Sequence, residues 1–483
     1  MQKPKLSEHK KVGDTLETPL LSGSMGQALQ LSSWSRNSLP EYLWIALIFD
    51  KYGREEGLYI FSKILEACKC FKIYESKFSL ITKLPEETQE KFYAILDKYA
   101  GKEVLAPLTM IIEAEQCPLF YFHYVNPSIS ITEKVETVIR VVKRNMGLHD
   151  NESTDVCYIA LWFVVISGRL ALGPEVSVLG NALTEYHKCK HTDEVMRMYR
   201  PSIRATFQAL SQIDRDEEFC MNFWMNLASI TPCNPLVLQF EKRDEQLMQY
   251  YNDAKKVIEY IQATNEDKKL DKRFEVCMGI SMYIFKLYCE IVENNLFGNI
   301  SGRILFRTMV ESYFNFKYLV IKEKDEPRIY EMFQEYGRGK YKLVMSKLRE
   351  EKFHVEEASH MNKHVMEAYV NEDKDENFLN ISLNYFDKQN IRQKAQCISE
   401  EELYEIYYEY DTNFVHGFWG AIRESAMLIC DNPAHLYHTV PDYSREQMLY
   451  SVEDDCNMVM KKVFELLSNI IELPDFYLER YKE

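Results

Sequence analysis

Glycine and proline are scarce in this 483-residue chain, at 17 and 15 residues. The dipeptides Asn-Gly, Asp-Gly and Gly-Gly do not occur. Those pairs are the strongest short hairpin signals, so their absence points away from a β-rich fold and toward helices with short connections. Also missing are Gly-x4-Gly-Lys-Ser/Thr, Gly-x-Gly-x-x-Gly, Gly-x-Ser-x-Gly and Cys-x-x-Cys. Their absence argues against P-loop, dinucleotide-binding, α/β-hydrolase and thioredoxin-like chemistry. The longest apolar run, 157–166 (CYIALWFVVI), is too short to cross a bilayer and reads as a core segment. The opening residues, MQKPKLSEHKKVGD, contain no apolar stretch of the secretory kind. The 12 cysteines form no framework, and only Cys68 and Cys70 lie close together. The expectation is a cytoplasmic protein with reduced thiols and no membrane segment.

Apolar residues make up 46% of the chain, enough for real cores. The formal net charge is −16, which disfavours non-specific nucleic-acid binding because that binding depends on neutralising phosphates. One basic run, Arg338, Lys340, Lys342, Lys347, Arg349 and Lys352, reads most cheaply as a solvated helix face.

Helical periodicity and capping signals divide the chain. Residues 1–30 read as a disordered tail. A helical domain follows over 31–235, opened by the capping pattern Ser38-Leu-Pro-Glu41. A connecting helix and the charged linker ATNEDKKLDK occupy 236–272. A second helical domain spans 273–475, with helices expected over 273–297, 300–322, 327–352, 355–371, 400–416, 418–430 and 445–472. The fold class is all-α, in two domains.

The segment 304–321, ILFRTMVESYFNFKYLVI, carries only three charges, Arg307, Glu311 and Lys317. A helix apolar nearly all round is normally buried, so a charge on it needs a partner. Arg307 and Glu311 stand i, i+4 on one side, in the less favourable order for a simple helix pair, which points to tertiary partners. A second segment, 404–420 (YEIYYEYDTNFVHGFWG), sets His416 among aromatics, with Tyr407, Tyr408, Tyr410 and Thr412 as hydrogen-bonding neighbours. A packing role for each competes with an acid–base role for the imidazole.

Arg-Thr-Met-Val-Glu at 307–311, followed by Tyr408-x3-Thr412-x3-His416, resembles an uncharacterised bacterial all-α family over roughly 275–430. The stretches SSWSRNSLPEYLW (32–44) and STDVCY (153–158) resemble longer bacterial proteins of the same layout. The C-terminal region is also distantly similar to HEPN bundles. That similarity implies a helical, usually dimeric domain of the kind found in toxins and antiviral systems. Many such domains are metal-independent ribonucleases with an Arg-x4–6-His motif. This chain departs from that motif, since no arginine stands five to seven residues ahead of His416. Two such spacings occur elsewhere, Arg144–His149 and Arg349–His354, no more than chance supplies.

Other histidines read as structural. His360-x3-His364 lacks a third ligand, His187-Lys-Cys189-Lys-His191 lies in a charged stretch, and His435 and His438 flank a loop after Pro433. No metal or cofactor is expected. The reading is a binding, sensing or assembly component in a stress or phage-response setting, with an RNA or protein partner and a homodimer left open. The alternative is a HEPN-like ribonuclease or toxin effector. In it Arg307, Glu311 and His416, or else Arg144 and His149, would be catalytic.

Overall fold

A computed structural model describes residues 4–22, 33–170, 177–211, 215–240, 246–265, 271–350, 360–383, 385–436 and 438–481. Helices dominate, and the protein is all-α. The described strands are short: a hairpin of Lys10–Val12 with Thr15–Glu17, and a three-stranded sheet with Met427–Cys430 between Pro235–Leu236 and Thr439–Pro441. The hairpin falls inside the stretch expected as a tail, of which 1–3 and 23–30 lie outside the described residues. No described helix is long and apolar enough to cross a membrane.

The chain divides into two compact units. One comprises Met1–Pro235 with Ile429–His438, the other Leu236–Leu428 with Thr439–Glu483.

The first unit is organised on the helix Leu39–Phe71, which is broken at Gly53 (φ 72°, ψ 179°). That backbone region is open in practice only to glycine, so Gly53 sets the bend. Trp44, 1% exposed, anchors the core with its ring edge-on to Phe61, Phe92 and Phe163. The apolar run at 157–166 lies in the helix Asn151–Ile166, most of which is buried. One expectation shifts, and one stretch of the helical domain is not α-helical. Over 102–114 the chain forms 3-10 turns, Lys102–Val104 and Ala106–Met110, where Pro107 falls in the second turn. The Ser38 capping box does not form. Instead a π-helical turn, Trp34–Ser38, leads into the long helix, with the Ser33 hydroxyl accepting from Arg36 N. Glu41 is buried and accepts from Ser79 N at 2.8 Å and Ser79 Oγ at 2.6 Å.

In the second unit the helix Ile300–Lys322 packs against Lys272–Glu293 and Glu453–Ser468, and its Phe306, Met309, Val310, Phe314 and Leu319 are buried. The helix Gln246–Thr264 adds Tyr250, Tyr251, Ala254, Val257 and Ile261 to the same core. The helix expected over 418–430 stops at Ser425, because Met427–Cys430 pairs as a strand with alternating burial. The last long helix starts at Glu453, not 445: the Asp442 carboxylate takes the amides of Ser444, Arg445 and Gln447 into a turn. Residues 391–397, between the stretches expected as helices over 355–371 and 400–416, form a helix with an Asn390–Gln393 capping box.

Gly302 lies where this core is tightest. A β-carbon there would sit 2.1 Å from the Leu296 carbonyl oxygen, a backbone atom that cannot swing aside. Gly302→Ala is expected to cost about 1–3 kcal/mol, the usual range for overpacking. Chemical denaturation checks it, and a variant as stable as wild type would contradict the close approach.

Candidate functional site

Helix Ile300–Lys322 carries polar residues at four-residue spacing on one side: Arg303, Arg307, Glu311 and Asn315. Each finds a partner on a facing segment. Arg307 donates from Nε to Thr412 Oγ1 at 3.0 Å, from Nη1 to Glu311 Oε2 at 3.1 Å, and from Nη2 to Tyr408 OH. Tyr408 OH in turn donates to Glu311 Oε2 at 3.1 Å. The guanidinium also lies 4.1 Å from the centre of the Tyr408 ring. A π-helical turn, Leu403–Tyr408, runs into the helix Glu409–His416 and presents these groups, with Tyr404 and Tyr408 stacked at 5.1 Å.

One turn earlier, Arg303 donates to the Tyr450 carbonyl at 2.5 Å and lies 4.0 Å from Asp411 Oδ1. Asp411 is 1% exposed, and its Oδ1 has no hydrogen-bond partner among the described residues. Burial pushes its carboxyl up to about 7, with Asp455 and Glu424 adding to the rise and Arg303 and Arg307 opposing it. One turn later, Asn315 Oδ1 accepts from the fully buried Lys394 ammonium at 3.0 Å, beside the rings of Phe386 and Tyr385. Burial holds the Lys394 pKa below that of an ordinary lysine. Elsewhere on the same helix, Tyr313 and Lys317 reach Glu400 at 2.6 and 2.5 Å, and Lys462 joins them at 3.1 Å.

The structure therefore brings Arg307 and Glu311 together and onto the 404–420 segment, through Tyr408 and Thr412. It does not bring His416 to them. His416 is exposed at the helix end, its ring stacked on Phe418 at 5.5 Å, and no hydrogen bond joins it to Arg307 among the described residues. Arg144 is held by Asp50 at 2.8 Å, while His149 is exposed and its carbonyl accepts from Arg204. His354 lies outside the described residues. The basic run does more than face solvent. Lys342 donates to the carbonyls of Glu376 and Leu379, Arg349 pairs with Glu376, and Arg338 with Asp373. Those cations pin the 371–383 stretch.

A second polar centre lies in the first unit. Asp155, 4% exposed, accepts from Arg54 Nε at 3.0 Å, Tyr186 OH at 2.8 Å and His191 Nε2 at 3.0 Å. It lines a cavity of about 200 Å³ together with Asp50, Arg54, Arg144, Asn145 and His191. Asn145 Oδ1 and His191 Nδ1 are buried with no hydrogen-bond partner among the described residues.

Sequence reasoning missed Arg303, which falls just ahead of the 304–321 segment, although its four-residue spacing from Arg307 was a readable signal. It also missed that Cys233, Cys430, His435 and His438 converge in the first unit. The compact spacing Cys430-x4-His435-x2-His438 was visible; the matching Cys233 lies 202 residues from His435.

Residues 274–435 match the model of a family of unknown function (DUF5677). The matched stretch carries Arg303, Arg307, Glu311, Asn315, Tyr408, Thr412 and His416; of the cysteine–histidine group it holds only Cys430 and His435. It names no activity, and no HEPN relationship comes with it. No curated protein and no solved structure matches the chain.

Proposed function

We propose that this protein works as a binding, sensing or assembly component, and that the Arg307 network is an internal brace of its second unit. The observation that carries this reading is the engagement of all three guanidinium nitrogens of Arg307. Its Nε, Nη1 and Nη2 all donate inside the protein, and its face is covered by a tyrosine ring. A ribonuclease needs its cation free to meet phosphate and its imidazole within reach of the same group. Here the cation is paired with Glu311 and bonded at every nitrogen, and His416 is stacked on Phe418 with no hydrogen bond to it among the described residues. The first unit's cavity, with two unpaired polar atoms in its wall, is the kind of feature that holds a small polar ligand. A stress or phage-response setting rests on the resemblance of the 275–430 region alone. RNA, a protein or a second copy as partner is equally unassigned by geometry.

The test is to express the chain in bacteria and follow growth and RNA integrity, with Arg307→Ala and His416→Ala beside wild type. Intact RNA in all three is expected. RNA cleavage by the wild type that His416→Ala abolishes, with circular dichroism showing both folded, overturns the reading in favour of a ribonuclease.

A further inference from the structure

Two stretches far apart in sequence meet in the first unit: Thr231-Pro-Cys233-Asn234 and Cys430-Asp-Asn-Pro-Ala-His435, with His438 just beyond. They are fixed by their own backbone bonds. Asp431 N donates to Asn234 O at 2.9 Å, Cys430 N to His438 O at 3.1 Å, and Asn432 Nδ2 to Pro232 O at 2.9 Å. A 3-10 turn, Pro433–His435, capped by the Asn432 side chain, then turns His435 inward.

The result is four soft ligand atoms, all within 4.8 Å of one another. Cys233 Sγ lies 3.5 Å from His435 Nδ1 and 3.4 Å from His438 Nε2. Cys430 Sγ lies 3.4 Å from His435 Nδ1, and the two imidazole nitrogens are 3.0 Å apart. A tetrahedral zinc ion, with bonds of ~2.3 Å to sulfur and ~2.0–2.1 Å to nitrogen, places its ligand atoms about 3.3–3.8 Å apart. Three of these edges fall in that range, the nitrogen–nitrogen edge is slightly short of it, and the two remaining edges, Sγ–Sγ and Cys430 Sγ to His438 Nε2, are no longer than 4.8 Å, so a small adjustment admits the ion.

The surroundings orient the ligands as well. His435 Nε2 sits 3.2 Å from the Thr231 carbonyl and 2.9 Å from its hydroxyl. A carbonyl only accepts, so Nε2 carries the proton and Nδ1 turns its lone pair toward the sulfurs. That is the outer hydrogen bond that fixes a ligating histidine's tautomer. Asn234 N donates to Cys430 Sγ at 3.4 Å, a contact suited to a thiolate. Cys430 and His435 are buried, while Cys233 and His438 are exposed, which gives the ion a way in.

From this geometry we infer that Cys233, Cys430, His435 and His438 form a Cys2His2 site for a divalent zinc ion. Its role is structural. All four tetrahedral positions are filled by side chains, leaving none for water or substrate. Binding releases the two thiol protons, and the two thiolates balance the ion's charge, leaving a neutral centre. Two sulfurs and two imidazoles in a tetrahedral set select zinc over calcium, magnesium or manganese. The ion would clip the Ile429–His438 excursion to the end of the first unit's main stretch. This inference is independent of the binding reading above.

The full-length protein, purified under reductant without chelator, is expected to carry one zinc per chain by elemental mass spectrometry. Cobalt should replace zinc and give the strong visible absorption of tetrahedral cobalt–thiolate coordination. Cys233→Ser changes an exposed residue and should leave the circular dichroism intact while weakening zinc binding by more than about 100-fold in chelator competition, beyond the usual effect of an outer partner. Cys430→Ser should do the same, and if it unfolds, Cys233→Ser alone decides. Three results would each overturn the site. One is wild type that takes up no zinc when titrated with the metal. A second is a Cys233→Ser variant that keeps wild-type occupancy. The third is a Cys233–Cys430 disulfide that persists in reductant with no metal bound.

Discussion

Asp155→Ala is expected to lower the stability of the protein by about 3–5 kcal/mol, the range for removing one partner of a buried charge pair. Three groups lose their acceptor at once: the Arg54 guanidinium, the Tyr186 hydroxyl and the His191 imidazole. Tyr186 is fully buried, so its hydroxyl has no water to turn to. Arg54 keeps the carbonyls of Cys189 and Tyr186, at 2.7 and 3.0 Å, but no counter-charge among the groups bonded to it. Asp155→Asn preserves the shape and one acceptor oxygen, so it should recover part of the loss. Equilibrium denaturation of the three proteins measures this, and a loss below about 1 kcal/mol in the alanine variant would show that the triad does not brace the first unit.

Asp411→Asn is expected to do the reverse and raise stability. A carboxyl displaced from the ordinary 3.8 to about 7 holds its proton more tightly in the folded chain than in the unfolded one. Folding therefore gains from protonation at low pH. That gain falls away as pH climbs from about 4 to about 7, after which the cost of the buried charge is constant. The displacement corresponds to about 4 kcal/mol at most. Asparagine mimics the neutral acid, so the variant should match wild type near pH 3 and exceed it by about 1–4 kcal/mol at pH 8. The competing idea, that Asp411 is a sound ion-pair partner for Arg303, predicts a loss of about 3–5 kcal/mol at pH 8. The geometry speaks against it: the closest approach is 4.0 Å and neither Arg303 Nε nor Asp411 Oδ1 is hydrogen-bonded. Denaturation at the two pH values separates them by sign.

The all-α class was legible because helical spacing and caps are local signals. Ile300–Lys322 was placed by its apolar wrap, and Arg307 with Glu311 stood out as charges on an apolar helix. Their facing segment was also readable, since an uncommon density of tyrosines around Thr412 offers hydrogen bonds. What failed were features set by distant chain. Met427–Cys430 is a strand only because two other short strands flank it. The π-helical turns at Trp34–Ser38 and Leu403–Tyr408 have no distinctive residue pattern. The bend at Gly53, by contrast, was legible, since the helical stretch EYLWIALIFDKYG ends on that glycine and a new one starts at about 54. The cysteine–histidine group joins residues about 200 apart, and a spacing rule applied along the chain tests only one side of it.

The order of groups along Ile300–Lys322 has a consequence for how that helix can move. Read along one side it runs cation, cation, anion, amide, at Arg303, Arg307, Glu311 and Asn315. A slip of one turn, about 5.4 Å, toward the C-terminal end would carry Arg307 to the Glu311 position and put Asn299 where Arg303 now faces the buried Asp411. A slip the other way would bring Glu311 to where Arg307 now meets the Tyr408 hydroxyl, and Leu319 to where Asn315 now accepts from the buried Lys394 ammonium. Each displaced alignment takes a partner from a buried ionisable group, Arg303 from Asp411 in the first and Asn315 from Lys394 in the second. The helix therefore has a single seating, and any rearrangement of the second unit has to pivot about this row, because it cannot slide along it.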